Sequence, residues 1–216
     1  MASQARLVMD TILSKIDTGT LNPGDVIAED ALIAELEISR TPLREALLQL
    51  EAHGLVTRQP RKGVVVFKPT LEEFLAILEV HAKLEGQAAG LAARRLSPAR
   101  SDALRGIVDA CAAHHAKHGD GHPNAYYQLN LDFHRLVGEA SGNPFLLDMI
   151  KANARKLMAY YRARYRTVGA IKESALEHAE IAEAIITRQS DEAEALMTRH
   201  VQFDHVTAMD LLASFD

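Results

Sequence analysis

Three histidines, His134, His178 and His200, fall on three separate predicted helices, and Asn130 stands four residues before His134 on the same helix face. Imidazole nitrogens suit transition metals, and the core of a helical bundle can gather inward-facing side chains of this kind into a metal site. A single histidine is more often a hydrogen-bonded core or surface residue, so spacing alone leaves both readings open. A second chemistry lies nearer the start of the chain. Arg40 and Arg44 sit one turn apart at the beginning of a predicted helix whose apolar face is Leu43, Ala46, Leu47 and Leu50. When the first turns of such a helix enter the DNA major groove, an arginine can donate two hydrogen bonds to guanine O6 and N7, with about 1–3 kcal/mol of discrimination. The free N–H groups and dipole at a helix start favour phosphate as well.

The charge distribution supports the second chemistry only locally. The 216 residues carry a net charge of −5, which by itself argues against a nucleic-acid binder. Residues 1–38 are net −5 and residues 69–216 net −4, whereas residues 39–68 are net +4. A basic window in an acidic chain matters because binding depends on where charge sits, although a solvated charged surface would look the same. With 48% hydrophobic and 25% charged residues, the composition is that of a globular protein with a core. No apolar run approaches the roughly 20 residues of a membrane-spanning helix. The charged N-terminus lacks the apolar stretch of a signal peptide, and the one cysteine, Cys111, allows no intrachain disulfide. The expectation is a cytoplasmic protein with no membrane partner.

The elements that must carry these residues divide near residue 69. A helical stripe over 6–18 is followed by turn chemistry at 19–25, a short helix over 29–37, and a helix with Thr41 as N-cap and Pro42 at its first position. Gly54 ends it. Two β-branched runs, 55–57 and 64–67, flank the turn 59–63. Three helices and a hairpin in this order predict a winged helix-turn-helix domain over 1–69. From the capping box Thr70–Glu73 onward the pattern predicts an all-helical bundle over 70–216, about six helices: a long first one with the stripe Phe74 to Leu91, a second from Ser97-Pro98 to roughly His118, a third from the 119–123 loop to the stop signal at 141–143, and others over about 144–166, 171–188 and 190–212. The fold class is therefore mainly α. His81 lies on the apolar stripe of the first bundle helix, either as a core histidine or as a contact to a bound molecule. The run Lys151, Arg155, Lys156, Arg162, Arg164, Arg166 and Lys172 contains no acid and reads as a solvated face, with Arg155 or Arg162 the candidates to turn inward toward an anion. His114, His115, His118 and His122 border a Gly-rich loop with uneven spacing and read as surface histidines. Cys111 reads as a small core residue.

The segments 16–25, Ser39-Arg40-Thr41-Pro42-Leu43-Arg44-Glu45-Ala46-Leu47 and Gly54-Leu55-Val56 resemble the GntR family of bacterial transcription regulators. The motifs Leu131-Asp132-Phe133-His134, Ala140-Ser141-Gly142-Asn143, 177–185 and Met197-Thr198-Arg199-His200 resemble the helical FCD effector domain of its FadR subfamily. The resemblance spans nearly the whole chain. It implies base or phosphate contacts for Ser39, Arg40, Thr41 and Arg44, and a wing tip at Arg61, Lys62 and Gly63 reaching the minor groove or backbone. Asp30 stands where some FadR-like members carry a DNA-contacting arginine. The resemblance also implies Asn130, His134, His178 and His200 as ligands of a divalent metal, zinc first, with nickel or another transition metal as alternatives. Asparagine adds no charge to that set, so an anionic outside ligand is expected, a small organic acid met by His81, Arg155 or Arg162. The function expected is a homodimeric, ligand-responsive regulator of operator DNA, acting as a repressor. The alternatives are a metal-dependent enzyme acting on small carboxylates, because three histidines with an open position also describe a catalytic site, and a bundle serving dimerisation alone.

Overall fold

The structure is a computed structural model, and it describes residues 3–202. The chain divides into two compact units, Met1–Thr70 and Leu71–Asp216.

In the first unit, helix α1 (Gln4–Thr18) is capped by the Ser3 hydroxyl, which accepts from the Arg6 N–H, and it ends at Gly19 in the left-handed region. Helix α2 (Glu29–Leu36) and helix α3 (Arg40–Ala52) are joined by a turn that passes through Glu37 at φ 51°. The core forms where Val8, Ile12 and Ile16 of α1 meet Leu43, Ala46, Leu47 and Leu50 of α3, all nearly inaccessible to solvent. Strands β1 (Val56–Gln59) and β2 (Gly63–Val66) pair antiparallel, with Val56 opposite Val66 and Gln59 opposite Gly63. The winged helix-turn-helix order is present. One local expectation is corrected: Ser39, not Thr41, is the N-cap residue of α3, so Pro42 is the third helical residue rather than the first. Proline is tolerated there because N–H groups throughout the first turn lack intrahelical partners.

The second unit contains α4 (Leu71–Arg95), α5 (Pro98–His118), α6 (Pro123–Ala140), α7 (Pro144–Arg164), α8 (Ala170–Ile186) and α9 (Ser190–Val201). Ser97 and Asn143 cap α5 and α7 through side-chain oxygens, and α5, α6 and α7 each have proline in the first turn. The predicted helix over 190–212 is seen as α9, and its last part, 203–212, lies outside the described residues. Helix α4 is the axis of this unit, packing on α6, α7, α8 and α9. Its C-terminal half is buried almost all round through small residues, Ala82, Gly86, Ala88, Ala89, Gly90, Ala92 and Ala93. A Cβ on Gly86 would collide with Thr198 Oγ1 and lie 2.9 Å from the Glu194 carbonyl oxygen, so glycine is what permits α9 to approach so closely. Among the described residues, no helix is long and apolar enough to cross a membrane.

Candidate metal centre and nucleic-acid interface

His134 of α6, His178 of α8 and His200 of α9 converge inside the bundle, with one ligand nitrogen from each lying within 4.8 Å of the others. The Nε2 atoms of His178 and His200 are 3.0 Å apart, and the ring centroids of His134 stand 5.6 Å from His178 and 5.3 Å from His200. The His178 ring lies flat against Phe133 at 3.9 Å between centroids, which fixes its plane. The outward nitrogens of His200 and His178 have partners of their own. His200 Nδ1 is 2.7 Å from Glu177 Oε2, and His178 Nδ1 is 3.7 Å from Cys111 Sγ. His134 Nδ1 stands 3.3 Å from Glu85 Oε1 without hydrogen-bond geometry.

These outer contacts decide what the centre can do. If Nδ1–H of His200 donates to Glu177 and Nδ1–H of His178 faces Cys111, the Nε2 lone pairs of His178 and His200 face each other at 3.0 Å. Two lone pairs at that distance repel unless a proton or a cation lies between them. Burial holds the pKa of His178 well below its ordinary value, helped by His200, His134 and Arg164. Burial does the same to His200, helped by His134 and Arg164. Neutral imidazoles are the form that binds metal. Tetrahedral zinc, with Zn–N of about 2.0–2.1 Å, places ligand nitrogens roughly 3.3 Å apart; the His178–His200 pair at 3.0 Å is near that, and the three donors, within 4.8 Å of one another, suit a divalent transition metal in chemistry.

Asn130 lies one turn before His134, is buried, and accepts through Oδ1 from the Tyr165 hydroxyl at 2.8 Å. The same hydroxyl is 3.2 Å from Ser174 Oγ, so the amide is held in one orientation. His81 is buried on α4 with Nε2 3.6 Å from Glu85 Oε1, and burial pushes its pKa down to about 4. Arg162 places its guanidinium carbon 5.1 Å from the Tyr127 ring centroid, and Arg155 is half-buried on α7. The basic run is not simply a solvated face. Arg164 is buried at the end of α7, donates to the His200 carbonyl oxygen at 3.3 Å, and lies 3.7–3.8 Å from Glu173 and Glu177. The helical spacing Leu157, Tyr160, Arg164 puts it on the buried face of α7, a signal available in the sequence.

Glu85 and Glu177 are the other residues that sequence reasoning missed. Glu85 follows His81 by four residues and so falls on its face of α4, but no local pattern marks it. Glu177 meets His200 only through the packing of α8 on α9. Arg164 and Glu177 also line an open cleft of about 590 Å³ with Lys172, Glu173 and Arg199. His114, His118 and His122 lie side by side on the surface, with ring centroids 5.0 Å and 4.8 Å apart along the row. Cys111 is a buried free thiol, whose pKa burial raises to about 11.

In the first unit, Ser39, Arg40, Thr41 and Arg44 are all exposed, on the face of α3 opposite its apolar stripe. The Ser39 hydroxyl caps no backbone N–H. The Arg40 side chain is 83% exposed, and its Nη2 stands 3.8 Å from Oδ1 of Asp30 on α2. The wing tip between β1 and β2 exposes Arg61, Lys62 and Gly63. Gly63 has φ +90° and nothing within 4 Å of a Cβ position, so conformation rather than space requires glycine there.

Residues 4–66 match the bacterial regulatory proteins of the gntR family, and residues 76–203 match the FCD domain. The chain is 30% identical over 187 residues to the Nta operon transcriptional regulator of Aminobacter aminovorans, covering 85% of each protein. It is 28% identical over 201 residues to the "Probable D-xylose utilization operon transcriptional repressor" of Paenarthrobacter nicotinovorans, covering 93% of this chain and 85% of that one. The fold is shared with E. coli McbR/YncC, at a TM-score of 0.82, 20% identity and full coverage of both chains. The "putative transcriptional regulator GntR from Rhodococcus sp. RHA1" superposes at a TM-score of 0.74 with 19% identity, again over both whole chains. The relatives are named as regulators, which decides against the metalloenzyme alternative. A winged helix-turn-helix unit followed by a helical bundle, each matching its own family, makes this chain a transcriptional regulator of the GntR family with an FCD domain.

Proposed function

We propose that the protein is a homodimeric repressor that binds operator DNA through α3 and the wing, and that releases it when a small organic acid reaches a zinc ion held by Asn130, His134, His178 and His200. The observation that supports this reading is the convergence of His134, His178 and His200 in the bundle, with His178 and His200 held neutral by burial. Zinc supplies a Lewis-acidic position on which an effector carboxylate can land. The chain's own residues do the rest. Tyr165 orients the Asn130 amide, while Glu177 and Cys111 orient the rings of His200 and His178. His81, Arg155 and Arg162 are the candidates for effector contact, with Arg164 added because it reaches both the backbone of His200 and the adjoining cleft.

On DNA, Arg44 and Arg40 would meet base edges, Ser39 and Thr41 phosphates or base edges, and Arg61, Lys62 and Gly63 the minor groove or backbone. A homodimer follows from the need to read two half-sites, since one winged helix contacts few bases. The bundle also offers a surface for it. Val80, at 54% exposure, continues the line of Leu84 and Leu91 on α4, and Phe145 at 80% and Met149 at 53% flank them on α7.

The test is fluorescence anisotropy of the full chain on its own upstream DNA against random DNA, with chelator or with zinc. Sequence-preferring binding that changes with zinc and a panel of small acids is expected. Arg44→Ala should lose the preference, roughly 1–3 kcal/mol, with the fold intact. His178→Ala should bind the DNA but lose the metal response. No preference over random DNA by the wild type would overturn the reading.

A further inference from the structure

We propose that Leu48, on the exposed face of α3, is a base-reading residue: it packs against the C5-methyl group of a thymine in the major groove and sets the sequence preference at one position of each half-site. The inference rests on the reading of α3 as the helix that enters the groove, and concerns a side chain to which that reading gives no role.

Helix α3 buries Pro42, Leu43, Ala46, Leu47 and Leu50, and leaves Arg40, Thr41, Arg44, Glu45, Leu48 and Gln49 exposed. All of the second group are polar except Leu48, which is 58% exposed. Exposure alone means little, because single leucines are ordinary on protein surfaces. Position carries the inference. At about 100° per residue, Arg40, Arg44 and Leu48 advance round the helix in steps of about 40°, and Leu48 comes within about 20° of Thr41. Leu48 therefore stands in the middle of the polar face, opposite the buried stripe, and not at the edge where an apolar side chain would extend the core. From Arg40 to Leu48 the helix rises about 12 Å, the length of three to four base pairs, so the three side chains fall within one half-site.

A leucine side chain has no hydrogen-bonding atom and is blind to the donor and acceptor pattern of the base edges. The apolar group that the major groove presents is the thymine C5-methyl. Packing that methyl against Leu48 removes two apolar surfaces from water. Cytosine at the same place would set its N4 amino group beside the leucine and lose hydration without a new hydrogen bond. Arg40 and Arg44 select guanine by donating hydrogen bonds, and Leu48 adds a thymine preference by contact, so the two contributions are separable by experiment.

The experiment uses the full-length protein and its own upstream duplex, with each thymine replaced in turn by uracil, which keeps the base pairing and removes only the C5-methyl. Fluorescence anisotropy gives the affinity of wild type and Leu48→Ala for every duplex, and circular dichroism gives their unfolding temperatures. For wild type, uracil at one thymine in each half-site should weaken binding about fourfold, the worth of burying one apolar carbon. Leu48→Ala should bind the unmodified duplex more weakly and should be indifferent to uracil at that thymine. Alanine is a strong helix former, so at an exposed position the variant should unfold at or above the wild-type temperature. A wild type that loses less than about twofold at every thymine overturns the proposal. So does a Leu48→Ala variant that keeps the wild-type uracil penalties, or one that unfolds well below the wild type, since its leucine then serves the fold. A wild type with no preference for the upstream duplex over random DNA overturns the DNA reading itself, and that result appears before any uracil is introduced.

Discussion

At the scale of single residues, the recognition helix works beside an acid. Asp30 lies 3.8 Å from Arg40, and both side chains are largely exposed, so water and salt weaken the pair. Its effect on DNA should exceed its effect on the fold. A carboxylate beside an arginine that enters the duplex opposes both the approach of the DNA backbone and the counterion release that drives binding. Asp30→Ala should therefore bind operator and random DNA several-fold more tightly, with a smaller ratio between them and unchanged thermal stability. Anisotropy titrations at two salt concentrations would show it, and unchanged affinity for both DNAs would mean that Asp30 does not face the duplex. Arg40, Arg44 and Asp30 were all visible in the sequence; the pairing of Arg40 with Asp30 was not, because it depends on how α2 turns into α3.

At the scale of elements, the bundle depends on how closely α4 and α9 approach. Replacing a mid-helix glycine by alanine ordinarily stabilises a helix by roughly 1 kcal/mol. At Gly86 the new methyl would meet Thr198 Oγ1 and the Glu194 carbonyl, an overpacking cost of about 1–3 kcal/mol, and the cost should win. Gly86→Ala is thus expected to destabilise and, by displacing the helix that carries His200, to weaken zinc binding. Gly106 on α5 has nothing within 4 Å of its Cβ position, so Gly106→Ala should stabilise instead. Chemical denaturation of the two variants measures the contrast, and equal signs would contradict it. Most helices were legible from periodicity and punctuation, as with Ser97-Pro98 before α5 and Asn143-Pro144 before α7. The near-complete burial of the second half of α4 was not, since a run of alanines and glycines gives hardly any hydrophobic periodicity to read.

At the scale of the whole molecule, the proposed homodimer makes a separate claim. Phe145, 80% exposed on α7, makes little of its own fold's core, so Phe145→Glu should leave the protein folded while halving its mass in solution and weakening operator binding. Sedimentation velocity decides it; a monomeric wild type, or a variant that stays dimeric, would remove this surface from consideration. The two-part organisation itself was readable in advance, because it rests on local signals: a switch from mixed helix and strand patterns to helix alone near residue 69, and a basic window confined to 39–68. So were the three histidines, each placed on its own helix by periodicity. What surrounds them was decided only by tertiary packing. Glu85, Glu177 and Arg164 come from α4, α8 and α7, and their contacts with His134 and His200 join residues far apart in the chain. Local order determines which face of a helix a side chain occupies. Which charge it meets there depends on how closely neighbouring helices can pack, and in this chain a glycine on α4 decides that distance.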